Sequence, residues 1–201
     1  TPYNTHQASV YMARLIWDGV KNTVVKAVEG MSYLKKLSTL VSNDANVVTW
    51  LLPDGLPVQQ NYIVEASHAV QLPLAGKKLR FYYKEATGAI DKRKQWQGVA
   101  PNYIHSLDAY HMRCVIRAAT AEGITNFAMI HDSFGTDMGR AADLYRIIRE
   151  QFVAIYDGHD HLQDFAKEMV DLIETGSELP DPPKFGKLDI KGVMKSQYCF
   201  A

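Results

Sequence analysis

From Val10 onward the apolar positions Val10, Ala13, Trp17, Val20, Val24, Val28 and Met31 recur at steps of three and four residues. That spacing puts them on one face of a helix. The pattern predicts a single long helix ending before Asn43, where Asn43, Asp44 and Asn46 supply turn formers. The next run, VVTWLL (47–52), is β-branched and aromatic. Pro53-Asp54-Gly55 then provides turn chemistry ahead of LPVQQNYIV (56–64), so a β-hairpin is expected. Residues 63–97 have weak periodicity and contain Pro73, Gly76 and Gly88, which reads as an extended, partly mobile excursion. A second long helix is expected to begin near Pro101 and to run through Ile104, Leu107, Val115 and Ala118 until Gly123 stops it. TNFAMI (125–130) reads as a buried strand that delivers His131-Asp132-Ser133 to its end, with Gly135 just beyond. Helices are expected from Arg140 to Tyr156 and after His161. ELPDPPKFGK (178–187) is too rich in Pro and Gly for a regular element, and a short helix and a tail close the chain. Helices with a few strands and no βαβ alternation define an α+β chain.

Composition narrows the function classes. The 201 residues are 47% hydrophobic and 22% charged, as in an ordinary globular protein. Their 22 Lys and Arg cancel their 22 Asp and Glu, which excludes a globally basic nucleic-acid coat. Any field that attracts a polyanion must therefore be local. No apolar run approaches the ~20 residues that span a bilayer, and the opening TPYNTHQ lacks a signal pattern, so no membrane role is expected. Cys114 and Cys199 stand far apart, which fits a reducing compartment and a cytoplasmic protein. Because the chain opens on Thr1 and enters a helical pattern almost at once, it is expected to continue something longer.

Two segments carry candidate chemistry. In IHDSFGT (130–136) an apolar strand ends abruptly in a His-Asp pair and a tight turn. An ionised Asp buried there would be costly unless it were paired or held a cation. Asp is also a common turn and cap residue, so spacing alone leaves both roles open. The second segment combines KKLRFYYK (77–84) with DKRKQW (91–96). Its basic side chains suit phosphates, and Phe81, Tyr82, Tyr83 and Trp96 suit base faces, although charge runs also form solvated hairpin faces. A rival reading joins DGHDH (157–161) to His131-Asp132 as a metal-dependent phosphohydrolase of the His-Asp type. It is weakened because such enzymes hold their ligands on helices, whereas His131 and Asp132 are expected at a strand end. A serine triad is disfavoured, since no Gly-x-Ser-x-Gly elbow occurs.

IHDSFGT, preceded by GVAPNYIHSLDAYHMR (98–113), YMARLIWDGV (11–20), WLLPDGLPVQQNY (50–62) and the terminal Phe200-Ala201 together resemble, end to end and in order, the C-terminal part of the single-subunit RNA polymerases of phages and mitochondria. The resemblance is to the T-odd phage enzymes in particular. The resemblance implies the C-terminal palm and fingers portion of a right-hand polymerase, mainly helical with a small antiparallel sheet and a β-hairpin. Residues 1–46 would be a long fingers helix and 47–97 the hairpin and promoter-specificity region. Residues 98–139 would be the palm helix and strand-turn-strand, and 140–201 the C-terminal helices and tail. The implied activity is template-directed transfer of ribonucleotides to an RNA 3′ end with two Mg²⁺ ions.

Within that resemblance Asp132 corresponds to the second metal-binding carboxylate, bridging the two ions, with His131 beside it and Ser133 where related DNA polymerases commonly carry a second acid. His105 matches a residue that contacts the nucleic-acid minor groove. Gln71, Lys77, Lys78 and Arg80 are the candidates for reading promoter bases, and Phe200 and Ala201 would fold back beside the active site. Two Mg²⁺ ions about 4 Å apart repel by roughly 17 kcal/mol at an effective dielectric of about 20. One carboxylate cannot offset that, and the partner Asp and the nucleotide-gripping Lys and Tyr have no match in this sequence. The chain is therefore expected to be catalytically incomplete alone. Its implied partners are the DNA template and promoter, the RNA transcript, ribonucleoside triphosphates and an upstream polymerase polypeptide, in the cytoplasm of a phage host or in the virion. A non-enzymatic alternative is a nucleic-acid-binding relative that keeps the palm fold without turnover. The acidic face around Glu168, Asp171 and Glu174 is expected to face solvent.

Overall fold

A computed structural model describes residues 4–74, 77–173 and 177–196. The predicted first helix is two helices, α1 (Thr5–Thr23) and α2 (Val25–Asn43), broken at Val24, whose φ of −111° and ψ of 53° are not helical. Asn4 caps α1 by accepting from the His6 and Gln7 amides. The apolar stripe of α1 meets no partner among the described residues, and none of its residues is buried. Only α2 enters the core, through Tyr33, Leu34, Leu37 and Val41.

The expected hairpin forms from β1 (Thr49–Leu51) and β2 (Pro57–Gln59), paired antiparallel with Trp50 opposite Val58. Its turn is tied to a distant helix by Asp54, whose carboxylate accepts from Arg113 Nε at 2.7 Å. The stretch expected to be a mobile excursion is instead a regular ribbon, β3 (Ile63–Leu74) against β4 (Lys77–Ile90), with a register shift between Ile63 and Glu65. Alternating apolar and polar residues escaped a helix-minded reading because Pro73 and Gly88 interrupt them, but neither blocks pairing of a two-stranded ribbon, where one edge of every strand is free.

The second helix also corrects the expectation. The helix α3 (Lys92–Ala121) starts nine residues before Pro101, which lies inside it. Asp91 fixes the start by accepting from the Lys94 amide at 3.0 Å. Gly98 allows α3 to pack on the chain entering β3, because a Cβ there would stand 2.9 Å from the Tyr62 ring. Two cores flank this helix. The larger gathers α2, β1 and α3 with α5 (His161–Val170) around Trp50, which is 1% exposed. Trp50, Tyr103 and Phe165 meet edge to face at 4.8 to 5.7 Å, and Trp50 Nε1 donates to Ser106 Oγ at 3.1 Å. The smaller core joins the end of α3 to α4 (Ala141–Tyr156) through Val115, Ala119, Ile124, Leu144, Ile147 and Ile148.

Two strands lie on that smaller core, β5 (Ala128–Ile130) and β6 (Ser133–Gly135). The strand expected to be buried is open on one side, with Ile130 69% exposed. Of the acidic face, Asp171 is exposed as expected, Glu174 lies outside the described residues, and Glu168 departs from the expectation. Glu168 is half-buried and accepts from the Leu51 amide at 2.6 Å, and burial holds its carboxyl above the usual range. Among the described residues no helix is long and apolar enough to cross a membrane.

Candidate active site and nucleic-acid interface

The β5–β6 hairpin pairs Ala128 with Gly135, Met129 with Phe134 and Ile130 with Ser133. Met129 and Phe134 share one face and pack on the smaller core, so the hairpin is anchored by that pair. The other face, with Ile130 and Ser133, is open. Gly135 permits the close strand approach, because a Cβ there would stand 3.2 Å from the Ala128 carbonyl oxygen. The base of the hairpin is closed by side chains: Thr136 Oγ1 donates to the Asn126 carbonyl at 2.8 Å, and Asn126 Nδ2 donates to Asp137 at 2.8 Å.

This leaves His131 and Asp132 as the turn at the tip, both exposed. His131 has φ of +54°, a left-handed conformation that costs a non-glycine residue roughly 1–2 kcal/mol. Asp132 has no hydrogen-bond or ion-pair partner among the described residues. The turn therefore holds a free carboxylate outward on a short, well-anchored arm.

Below the arm, His111 of α3 is buried and shares a hydrogen bond with the Ile148 carbonyl at 3.0 Å. Its ring meets the Phe134 ring at 5.7 Å and the Phe152 ring at 5.5 Å, so it joins α3, α4 and β6. Burial holds its pKa below the ordinary imidazole value, which keeps it neutral. Sequence reasoning passed over His111. Its place seven residues after Ile104 and four before Val115, on the periodic face, was the available signal. His105 lies six residues earlier, about 9 Å along the axis, and is exposed.

A hard divalent cation takes six or more oxygens, with carboxylates among them. The exposed, unpaired Asp132 suits one such position. No group of three or more His, Cys, Asp or Glu side chains able to hold a metal gathers among the described residues. Asp132 thus fits as a single ligand of a set completed from elsewhere. The rival cluster does not assemble. His159 pairs with Asp164 at 2.7 Å, while His161 bonds the Ile155 carbonyl at 2.9 Å, and burial lowers its pKa.

The β3–β4 register sorts the ribbon into two faces. Cross-strand partners share a face, and faces alternate along the strands. Ser67, Gln71, Lys78, Arg80, Tyr82 and Lys84 lie on one face with Glu65, which accepts from Lys84 Nζ at 3.0 Å. On the other lie Val70, Leu72, Leu79, Phe81 and Leu74, with His68 stacked on Tyr83 at 5.3 Å. Three of the four expected contact residues, Gln71, Lys78 and Arg80, are thereby brought together. Lys77 is separated from them, opposite Leu74 on the apolar face. Tyr82 and Lys84, which the sequence offered only as part of the basic, aromatic run, join the polar face. Their common face follows from the register, in which Leu74 pairs with Lys77 and Ser67 with Lys84. Phe200 and Ala201 lie outside the described residues.

A family model described as DNA-dependent RNA polymerase matches residues 2–177, and the chain belongs to that family. The DNA-directed RNA polymerase of Enterobacteria phage T3 is 38% identical over 98% of this chain and 24% of its own length. T7 RNA polymerase of Escherichia phage T7 is 36% identical over 98% and 24%. A mitochondrial relative, DNA-directed RNA polymerase 1 of Arabidopsis thaliana, is 31% identical over 98% and 19%. The chain spans about a quarter of the length of the phage relatives it matches.

Proposed function

We propose that these residues supply part of the catalytic centre and the promoter-reading ribbon of a DNA-directed RNA polymerase that adds ribonucleotides to an RNA 3′ end. The observation that carries this reading is the exposed, unpaired Asp132 carboxylate on the β5–β6 turn. Residues 98–139 then form the palm portion and 1–46 belong to the fingers. The remaining metal ligand and the groups that grip the nucleotide come from an upstream polymerase polypeptide. Two Mg²⁺ ions held there would lower the pKa of the RNA 3′-hydroxyl and neutralise the leaving pyrophosphate. Asp132 contributes an oxygen ligand, held outward by the anchored Met129–Phe134 pair. His131 and Ser133 flank it, and His105 meets the minor groove of the product duplex. The reaction's partners are DNA template, promoter and ribonucleoside triphosphates, in the cytoplasm of a phage host transcribing phage genes.

On the β3–β4 ribbon, the polar face enters the DNA major groove, which admits a two-stranded ribbon. Gln71, Lys78 and Arg80 contact bases and phosphates there, joined by Tyr82 and Lys84. Lys77 contributes little, because it faces the other way.

The test is a chimera in which this chain replaces the matching quarter of the T7 enzyme. Nucleotide addition on a primed template and promoter binding are both measured. Asp132→Asn is expected to lower the addition rate by a thousandfold or more, on the order of 4 kcal/mol, while promoter binding persists. Ordinary elongation by the Asn variant would refute the assignment. An inactive unsubstituted chimera that still binds promoter would favour a non-catalytic relative.

A further inference from the structure

Among α2, α3 and α5 lies a cavity of about 400 Å³. Its walls are Ala27, Gly30 and Met31 of α2, Ile104 of α3 and Leu162 of α5. Three aromatic rings, Tyr103, Tyr156 and Phe185, complete the lining. The volume falls within the range that small-molecule sites occupy, and the lining is apolar with a few polar groups at the mouth, as such sites require.

The cover over this cavity is unusual. Residues 177–188 make no hydrogen bond or ion pair with another described residue. Pro180, Pro182 and Pro183 remove three backbone donors from the strap, so little holds it to the body except apolar contact. Phe185 lines the cavity yet is 72% exposed. Turning its ring inward would bury apolar area without breaking a hydrogen bond. The cations at the mouth differ in availability. Lys26 is committed to Glu29 at 2.6 Å, whereas Lys184 has no ion-pair partner among the described residues. Nearby Asp160 is occupied in capping α5 through the Gln163 amide, and His159 in pairing with Asp164.

We propose that this cavity binds an organic anion with a flat aromatic body. The body stacks among Tyr103, Tyr156 and Phe185, and the anionic group meets Lys184. The strap closes over it, bringing Phe185 inward. This site is independent of the polymerase chemistry and stands whether or not Asp132 holds a cation.

The probe is 8-anilinonaphthalene-1-sulfonate, an aromatic body with one anionic group, added to the 201-residue chain carrying ¹³C-methyl methionine. The expected result is saturable binding that shifts the Met31 methyl resonance and leaves Met12 of α1 and the exposed Met138 unmoved. Gly30→Leu, which fills the cavity from α2, is expected to weaken binding at least about tenfold. Ala27→Leu does the same from a second position, with circular dichroism checking that each variant folds. Lys184→Glu is expected to weaken binding about threefold and to flatten its salt dependence. Shifts at Met12 in place of Met31, or undiminished binding by both folded cavity-filling variants, would overturn the proposal.

Discussion

At the scale of single residues, two imidazoles, the buried His111 and the half-buried His161, link the architecture to pH. Burial holds both His111 and His161 below the ordinary imidazole pKa, and each bonds a backbone carbonyl. In the unfolded chain they titrate near 6.5. Below that pH the unfolded state takes up protons that the folded state resists. Their contribution to stability is thus complete above about pH 6.5 and declines as pH falls toward the lowered folded values. The slope approaches about 1.4 kcal/mol per pH unit for each group inside that window. The carboxyl of Glu168, held above its usual range, acts with the opposite sign, but only nearer its own ordinary value of 4.5. Urea denaturation at pH 7 and pH 5 should therefore show a clear loss of stability on acidification. His161→Gln should remove about half of it. A stability that is flat across this interval in the unsubstituted chain would contradict the burial argument.

At the scale of elements, the ribbon's register makes a prediction that separates its faces. Lys78→Ala and Arg80→Ala should each weaken DNA binding by the chimera and reduce the dependence on log salt by about 1, as expected when a phosphate contact is lost. Lys77→Ala should leave that slope unchanged. An equal effect at Lys77 would mean that the ribbon meets DNA without a preferred face. The same element shows what the sequence disclosed and what it hid. Gln71, Lys78 and Arg80 were visible as side-chain types, but their common face depends on which residue sits across the strand, and that pairing is long-range information. The Asp132 turn was legible because it is local: an apolar run, a His-Asp pair and a glycine fall within seven residues. Helix starts were less legible. Pro101 resembles a first-turn residue, yet packing of Val99, Ala100 and Tyr103 into the larger core keeps the helix continuous through it. The break at Val24 has no glycine or proline to announce it. Residues 10–31 keep one periodicity across two helices, of which only the second finds a core.

At the scale of the whole molecule, two cores share one helix, and each anchors different elements. The larger, around Trp50, fixes α2, β1 and α5 against the front half of α3, from which the ribbon departs next to Asp91. The smaller fixes the β5–β6 arm on the rear half of α3 and α4. The zero net charge of the chain is compatible with polyanion binding, because the ribbon's polar face gathers Lys78, Arg80 and Lys84 against the single carboxylate of Glu65. Large apolar side chains on α1, among them Tyr11, Ile16 and Trp17, remain exposed in the folded chain. The proposed function rests on Asp132 serving as a cation ligand with partners outside the described residues. Paramagnetic broadening of amide resonances on titration with Mn²⁺ tests it in this chain directly. The account predicts weak, selective broadening at 131–133, abolished by Asp132→Asn. Broadening centred on 157–161, or unaltered by that substitution, would contradict it.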